Sequence, residues 1–149
     1  QQRQNIDAIR SQGIEVDGHA TIGEWQLQAS YSHIDPKVRS NGAAIALDGL
    51  RPAQTARDQA TASIEWNRPG VARVGTTLRY VGNQYEDDLN SRVLRHALTI
   101  DAVASAPVGK GFTVEVRGEN LGNKLVEAPV ATAGPIERAT PRTLWLALK

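Results

Sequence analysis

The chain has 149 residues, of which 17 are lysine or arginine and 16 are acidic, and it contains no cysteine. This near balance of charge gives no electrostatic reason to expect a nucleic acid partner, and the missing cysteines exclude disulfides and thiolate metal sites. No apolar run reaches the ~18 residues of a transmembrane helix.

Seven segments alternate apolar and polar side chains with a period of two. That period predicts β-strands with one apolar face and one polar face. In chain order the predicted strands cover about 13–22, 25–33, 58–67, 71–80, 95–106, 112–119 and 142–148. Pro107 is expected to end the fifth strand, and no segment has a helical period. The sequence therefore predicts an all-β chain.

The connections between the predicted strands differ strongly in length. Short turns at 23–24, 68–70 and 109–111 alternate with long polar loops at about 34–57, 81–94 and 121–141. In an antiparallel sheet this order places all long loops at one end and all short turns at the other. Outer-membrane barrels have this asymmetry, although soluble binding proteins also gather long loops around one site.

Aromatic residues mark both ends of the predicted apolar face. Trp25, Trp66 and Phe112 lie beside the short turns, and Tyr31 and Tyr80 lie beside the long loops. Aromatic rings collect at the two membrane–water interfaces, whereas a soluble core would hold its largest rings near the centre. A ten-residue strand tilted by ~40° spans ~23 Å, close to the ~25 Å apolar band of such barrels. We therefore expect an antiparallel up-and-down transmembrane β-barrel with these five residues at the membrane interfaces.

The polar face carries charged residues of both signs, which we expect to face the barrel lumen. These residues are Glu15, Asp17, Glu65, Arg73, Arg79, Asp101, Glu115, Arg117 and Glu119. Seven strands do not complete a bacterial barrel, which usually has an even number of eight or more strands. We therefore expect residues 1–149 to be the carboxy-terminal portion of a barrel domain whose upstream strands are odd in number.

The sequence offers few candidates for chemistry. His19, His33 and His96 lack metal-ligand spacing, and no serine, histidine and acid trio is suggested, so neither a metal, a cofactor nor catalysis is predicted. The segment 86–90 offers hard oxygens that could hold calcium, but a solvated or turn-stabilising loop is the favoured interpretation. The weak candidates for ligand binding are Tyr85, Asp87, Asp88 and Asn90.

Five stretches, in the same order, resemble the carboxy-terminal part of TonB-dependent receptors, the plugged transporters of the bacterial outer membrane. They cover 10–15, 47–54, 79–90, 119–123 and 139–142. The resemblance implies a barrel of about 22 strands, of which these are the last seven, with a plug domain inside. It also implies energy delivered through the TonB complex and import of a large scarce nutrient such as a ferric siderophore or cobalamin.

One feature departs from the resemblance, because such barrels usually end on an aromatic residue and this sequence ends Leu-Ala-Leu-Lys. Trp145 also falls in the polar register of the last strand. The expected location is the outer membrane, and the expected partners are its lipid, the plug, the upstream strands and the TonB complex, with no nucleic acid and with the transported ligand unidentified. Two alternatives stay open, namely a passive outer-membrane porin or channel and a soluble β-barrel that binds a small ligand.

Overall fold

A computed structural model describes residues 7–128, 137–138 and 140–149 and places seven long strands in one antiparallel sheet. The strands are β1 (Gly13–Ile22), β2 (Trp25–Ile34), β3 (Asp58–Arg68), β4 (Ala72–Val81), β5 (Ala97–Gly109), β6 (Phe112–Glu119) and β7 (Thr143–Leu148). Each strand pairs with its neighbours in the chain, so the order across the sheet runs from β1 to β7 without a crossover. The predicted all-β, up-and-down arrangement is confirmed.

The prediction for the end of β5 was wrong. The strand continues through Pro107 to Gly109, where Pro107 pairs with Thr113 of β6. The last pair between β5 and β4 joins Ser105 to Arg73, and the β5–β6 register shifts beside Thr113. Pro107 thus lies beyond the paired region on one side and at an irregularity on the other, where a strand tolerates the missing N–H.

The short turns follow the backbone preferences of their residues. Gly23 has a φ of +60° in the two-residue turn between β1 and β2, and Gly70 has a φ of +77° between β3 and β4. Glycine adopts such positive values without the steric cost that a Cβ atom brings. These turns fix the register of the two hairpins.

The cross-strand register brings apolar side chains opposite apolar side chains throughout the sheet. Examples are Trp25 with Trp66, Leu27 with Ile64, Leu78 with Ile100 and Val116 with Leu146. Because the side-chain period along a strand is two, a slip of one residue would move a whole strand's apolar set to the other face. The seven strands therefore share one continuous apolar face and one polar face.

The apolar face is open rather than covered by a second layer. Val16, Val116 and Leu146 expose 61%, 47% and 77% of their surface. In the described residues, the buried apolar side chains lie instead in the loops and at the start of β5: Val38, Ala44, Ala56, Leu94 and Ala97. A contiguous exposed apolar face of this extent requires an apolar environment.

The three long loops leave the sheet at the same edge, here called the loop edge, and the short turns lie at the opposite turn edge. The β2–β3 loop holds a short strand, Lys37–Arg39, which pairs with Ala8–Arg10, and a 3-10 helix at Gly42–Leu47. The β4–β5 loop pairs Gln84–Tyr85 with Val93–Leu94, and the β6–β7 loop pairs Glu127–Ala128 with Glu137–Arg138. Within the described ranges, no helix is long and apolar enough to cross a bilayer.

Candidate functional site

The charged residues predicted from the sequence all occupy the polar face of the sheet. Glu15 lies opposite Ser32, Asp17 opposite Ser30, and Asp101 opposite Thr77. The others share this register through their own cross-strand pairs: Glu65, Arg73, Arg79, Glu115, Arg117 and Glu119. The alternation of each strand thus gathers charges from five strands, namely β1, β3, β4, β5 and β6, onto one wall.

Ion pairs connect these charges across neighbouring strands. Arg73 Nη2 lies 2.8 Å from Glu65 Oε2, which joins β4 to β3. Arg79 pairs with Asp101, which joins β4 to β5. Such partly exposed pairs contribute about 0–1 kcal/mol each in water, so their main effect is to hold side chains of both signs in place along the wall.

The same wall continues to the last strand. Lys149 Nζ lies 2.8 Å from Glu115 Oε2, and Arg117 Nη2 lies 3.0 Å from Glu119 Oε1. An open hollow of about 580 Å³ lies on this face. Polar and charged side chains that line it include Gln28, Glu65, Arg73, Thr77, Asp101 and Arg117.

Two apolar side chains interrupt the polar wall around Arg117. Val103 of β5 and Trp145 of β7 lie directly opposite Arg117 on its two neighbouring strands. Trp145 is 57% exposed, so it presents a ring to whatever faces the wall. The sequence placed Trp145 in this register without a partner, and the structure places it opposite a cation, Arg117.

At the turn edge, the aromatic residues lie on the apolar face beside the short turns. Trp25 and Trp66 pair directly across β2 and β3. Trp66 Nε1 donates a hydrogen bond to Glu24 Oε2 at 2.8 Å, so the polar edge of the ring points to the turn. Phe112 begins β6 after the third turn and is half exposed.

At the loop edge, the two tyrosines engage polar groups next to the loops. Tyr31 Oη donates to Asp58 Oδ1 at 2.8 Å, and His33 Nδ1 lies 2.8 Å from the same oxygen. The Tyr80 ring lies 6.2 Å from the ring of His96. Tyr31 thus has its ring on the open face and its hydroxyl at the loop edge, as amphipathic aromatic residues at an interface do.

The histidines do not converge on a metal site. His33 and His96 lie at the loop edge on different contacts, whereas His19 lies opposite Gln28 on the polar face. In the part of the chain that the structure describes, no group of three histidine, cysteine or acidic side chains could hold a metal ion.

A hydrogen-bonded contact joins the β2–β3 loop to the β4–β5 loop, and two predicted candidates belong to it. Asn90 Oδ1 accepts from Arg51 N at 3.0 Å, and Asn90 Nδ2 donates to Arg51 O at 2.8 Å. Asp88 Oδ1 accepts from Ala53 N at 3.2 Å. The side chains of Asp88 and Asn90 therefore bind backbone groups of the neighbouring loop.

Asp87 stabilises its own turn. Its carboxylate accepts hydrogen bonds from Ser91 N, from Ser91 Oγ at 2.9 Å and from Arg92 N at 2.9 Å. Burial raises the pKa of Asp87, but the hydrogen bonds from Ser91 and Arg92 outweigh it and hold the pKa below its usual range. The acidic side chain of Asp87 therefore stabilises the conformation of the β4–β5 loop.

Tyr85, the fourth candidate, lies beneath the side chain of Arg51, which was not among the predicted site residues. The guanidinium carbon of Arg51 is 5.4 Å from the centroid of the Tyr85 ring. Asp35, also missed, pairs with Arg57 and Lys37, and the hydrogen bond from Arg57 lowers the pKa of Asp35. The sequence held only one signal for Arg51, its place in the 47–54 stretch.

Comparisons with known proteins agree with this architecture. The sequence model of the family described as "TonB dependent receptor-like, beta-barrel" matches residues 1–121. No relative was found among proteins with curated descriptions.

Solved structures share the fold at low sequence identity. The siderophore receptor PiuA from Acinetobacter baumannii matches with a TM-score of 0.80 and 19% identity, over 94% of this chain and 21% of that one. The ferric preacinetobactin receptor BauA from the same organism matches with a TM-score of 0.77 and 22% identity, over 94% and 22%. The ferric yersiniabactin uptake receptor FyuA from Yersinia pestis matches with a TM-score of 0.80 and 15% identity, over 91% and 22%. The chain thus spans about a fifth of the length of these structures, and its seven-stranded sheet is a fragment of their barrel fold.

Proposed function

The chain belongs to the family of TonB-dependent receptor-like β-barrels, and from that membership we propose that residues 1–149 are the carboxy-terminal portion of an outer-membrane transport barrel. The single observation that carries the proposal is the two-faced sheet. Seven strands in continuous register present an exposed apolar face and, on the other side, an ion-paired polar wall. Lipid cannot hydrogen-bond to the free backbone groups of an edge strand. The two outermost strands, β1 and β7, therefore pair with upstream strands of the same barrel.

The membrane contact follows from the apolar face. Trp25, Trp66 and Phe112 meet one interface, and Tyr31 and Tyr80 meet the other. Between Trp25 and Tyr31 lie six residue steps, or ~15 Å of height at a strand tilt of ~40°. That spacing places the rings inside the borders of an apolar band ~25 Å tall. The loop edge is then extracellular and the turn edge periplasmic.

The polar wall faces the lumen, where it contacts a plug domain. Its mixed charges suit water-mediated and direct hydrogen bonds to a plug that has to move during transport. The cross-strand pairs Arg73–Glu65 and Arg79–Asp101 neutralise four charges of the wall. These side chains therefore do not form strong ion pairs with the plug that would have to break when the plug moves. Val103 and Trp145, on either side of Arg117, offer the plug two apolar side chains within this wall.

The proposed activity is energy-coupled import of a large scarce nutrient. A ferric siderophore is the favoured class because the matched solved structures are named as receptors for such compounds, and cobalamin is the second class. The external loops and plug capture the ligand, and TonB then supplies the work that opens a path through the lumen. The protein acts as a transporter and not as an enzyme.

Fluorescence quenching tests the orientation of the two faces. Residues 1–149 contain no cysteine. In a full-length receptor whose upstream cysteines have been replaced, single cysteines at Val74 on the apolar face and Thr77 on the polar face can therefore carry a fluorophore. In vesicles with brominated acyl chains, we expect strong quenching at Val74 and weak quenching at Thr77. The reverse pattern would remove the basis of the proposal.

Energy coupling requires its own test. Uptake of a radiolabelled ferric complex is measured in cells with and without TonB. Uptake that depends on TonB supports the importer. Uptake that persists without TonB and rises linearly with concentration identifies a passive channel instead.

A further inference from the structure

Arg51 differs from three other arginines of the loop edge, each of which has a carboxylate partner. Arg57 pairs with Asp35, Arg39 with Asp48 at 3.9 Å, and Arg92 with Glu86 at 3.0 Å. Over the described ranges 7–128, 137–138 and 140–149, the Arg51 side chain has no carboxylate partner and contacts the face of the Tyr85 ring instead. Its charge is therefore not neutralised by an acid of the same loops.

The backbone of Arg51 is fixed from both sides. Asn90 accepts a hydrogen bond from Arg51 N and donates one to Arg51 O, at 3.0 and 2.8 Å. Next to it, Gln54 N donates to Tyr85 O at 2.7 Å, which ties the loop of Arg51 to the residue that carries the ring. These bonds fix the backbone on which the guanidinium and the ring are carried, so a ligand has less backbone freedom to freeze at this position.

The neighbouring acids do not compete for the guanidinium. Asp88 accepts from Ala53 N, and Asp87 accepts from Ser91 and Arg92. In the described chain, their hydrogen bonds go to backbone and hydroxyl groups, and neither carboxylate forms an ion pair with Arg51. Arg51 is also half-buried, which strengthens its interaction with an incoming charge relative to a fully solvated side chain.

We propose that Arg51, whose guanidinium lies over the Tyr85 ring, is a binding site for an anionic oxygen group of the captured ligand, of the carboxylate or catecholate kind. The planar guanidinium presents paired N–H donors, and these match the paired oxygens of such groups. The inference rests on the proposed function and assigns a chemical class to the ligand, namely a ferric complex with net negative charge. It gives Tyr85 the role of a positioning residue.

The test measures binding to the full-length receptor in detergent, with calorimetry as the readout. The probes are ferric citrate, an anionic ferric tris-catecholate and a neutral ferric trihydroxamate. We expect Arg51→Gln to weaken binding of an anionic complex about tenfold or more, the usual size of a lost charge-assisted hydrogen bond. Arg51→Lys keeps the charge but loses the paired N–H donors of the guanidinium, so an intermediate loss of affinity is expected.

Two matched variants separate a specific site from a general charge effect. Arg39→Gln removes the same charge from the same loop, but Arg39 is paired with Asp48, so unchanged affinity is expected. Tyr85→Phe keeps the ring and its affinity, whereas Tyr85→Leu removes the platform and weakens anion binding several-fold. Equal losses in Arg39→Gln and Arg51→Gln would overturn the proposal.

The remaining outcomes are also decisive. An anionic complex that binds equally to wild type and Arg51→Gln overturns the site, and so does the absence of binding by both anionic probes at about 1 mM. If uptake depends on TonB and the Arg51→Gln receptor binds its ligand as wild type does, the Arg51 site is rejected and the importer proposal still holds. TonB-independent uptake rejects the importer whatever Arg51 does.

Discussion

Placing an arginine at the centre of the apolar face tests the membrane orientation most directly. Ala62 lies in the middle of β3, exposed on the apolar face, and its neighbour Ser63 lies on the polar face at the same height. The two variants Ala62→Arg and Ser63→Arg therefore introduce the same side chain at the same depth and differ only in the face that carries it.

The expected magnitude follows from the position of Ala62 along the strand. Trp66 and Asp58 lie four residues away in opposite directions, which at ~3.3 Å per residue and a tilt of ~40° is ~10 Å of height to each of them. Ala62 therefore lies near the middle of an apolar band ~25 Å tall. Near the bilayer midplane, a lipid-facing arginine destabilises a barrel by about 2–4 kcal/mol. This corresponds to a ~30-fold to ~700-fold change in the folding equilibrium.

Reversible unfolding by guanidinium in phospholipid vesicles, followed by tryptophan fluorescence of the full-length receptor, measures this free energy. We expect a loss of about 2–4 kcal/mol for Ala62→Arg and less than about 1 kcal/mol for Ser63→Arg. If Ser63→Arg instead causes the larger loss, the apolar face points inward and the lipid assignment is refuted.

The remaining predictions concern the two edges. Asn90→Ala removes both hydrogen bonds to Arg51, so local loop stability should fall by about 1–3 kcal/mol, seen as faster hydrogen exchange at 50–54 with the sheet unaffected. The lowered pKa of Asp87 means that its stabilisation is present above the unfolded value of about 3.9 and is lost as pH falls through the folded value. Proteolysis of the 81–94 loop should therefore accelerate in acid, and Asp87→Asn should remove this pH dependence; a parallel acceleration in both proteins would contradict it. Trp66→Phe loses the bond to Glu24, and a cost of about 0.5–1 kcal/mol is expected in the vesicle assay, with a loss above about 2 kcal/mol arguing for a larger role.

The sheet could be predicted from the sequence because its strands and turns depend on residues that are close together in the chain. A period of two assigns each residue to a face, and turns such as Gly23-Glu24 fix which faces meet. The resulting pairs, for example Ala20 with Leu27 in the first hairpin, follow from the strand limits alone. The error at Pro107 arose because tolerance of a proline depends on the partner strand and on an irregularity in its pairing, neither of which is local.

The loop edge could not be predicted in the same way. Asn90 and Arg51 are 39 residues apart, and no periodic pattern connects them. The acidic composition of 86–90 correctly indicated oxygen atoms that accept hydrogen bonds, but composition does not distinguish an external ligand from a backbone N–H of another loop. Among the described residues Arg51 has no acidic partner, and this depends on the three-dimensional pairing of Arg39, Arg57 and Arg92 with other acids.

Tight packing in the described chain lies mainly in the loops, around Val38, Ala44, Ala56 and Leu94, while the strands carry their apolar residues in the open. In the proposed barrel these loops form the outer surface, so a small set of buried loop residues determines its shape, and the lipid-facing side chains of the strands do not. We therefore expect substitutions that alter ligand recognition in the proposed importer to accumulate in the loops, without changing how the sheet inserts into the membrane.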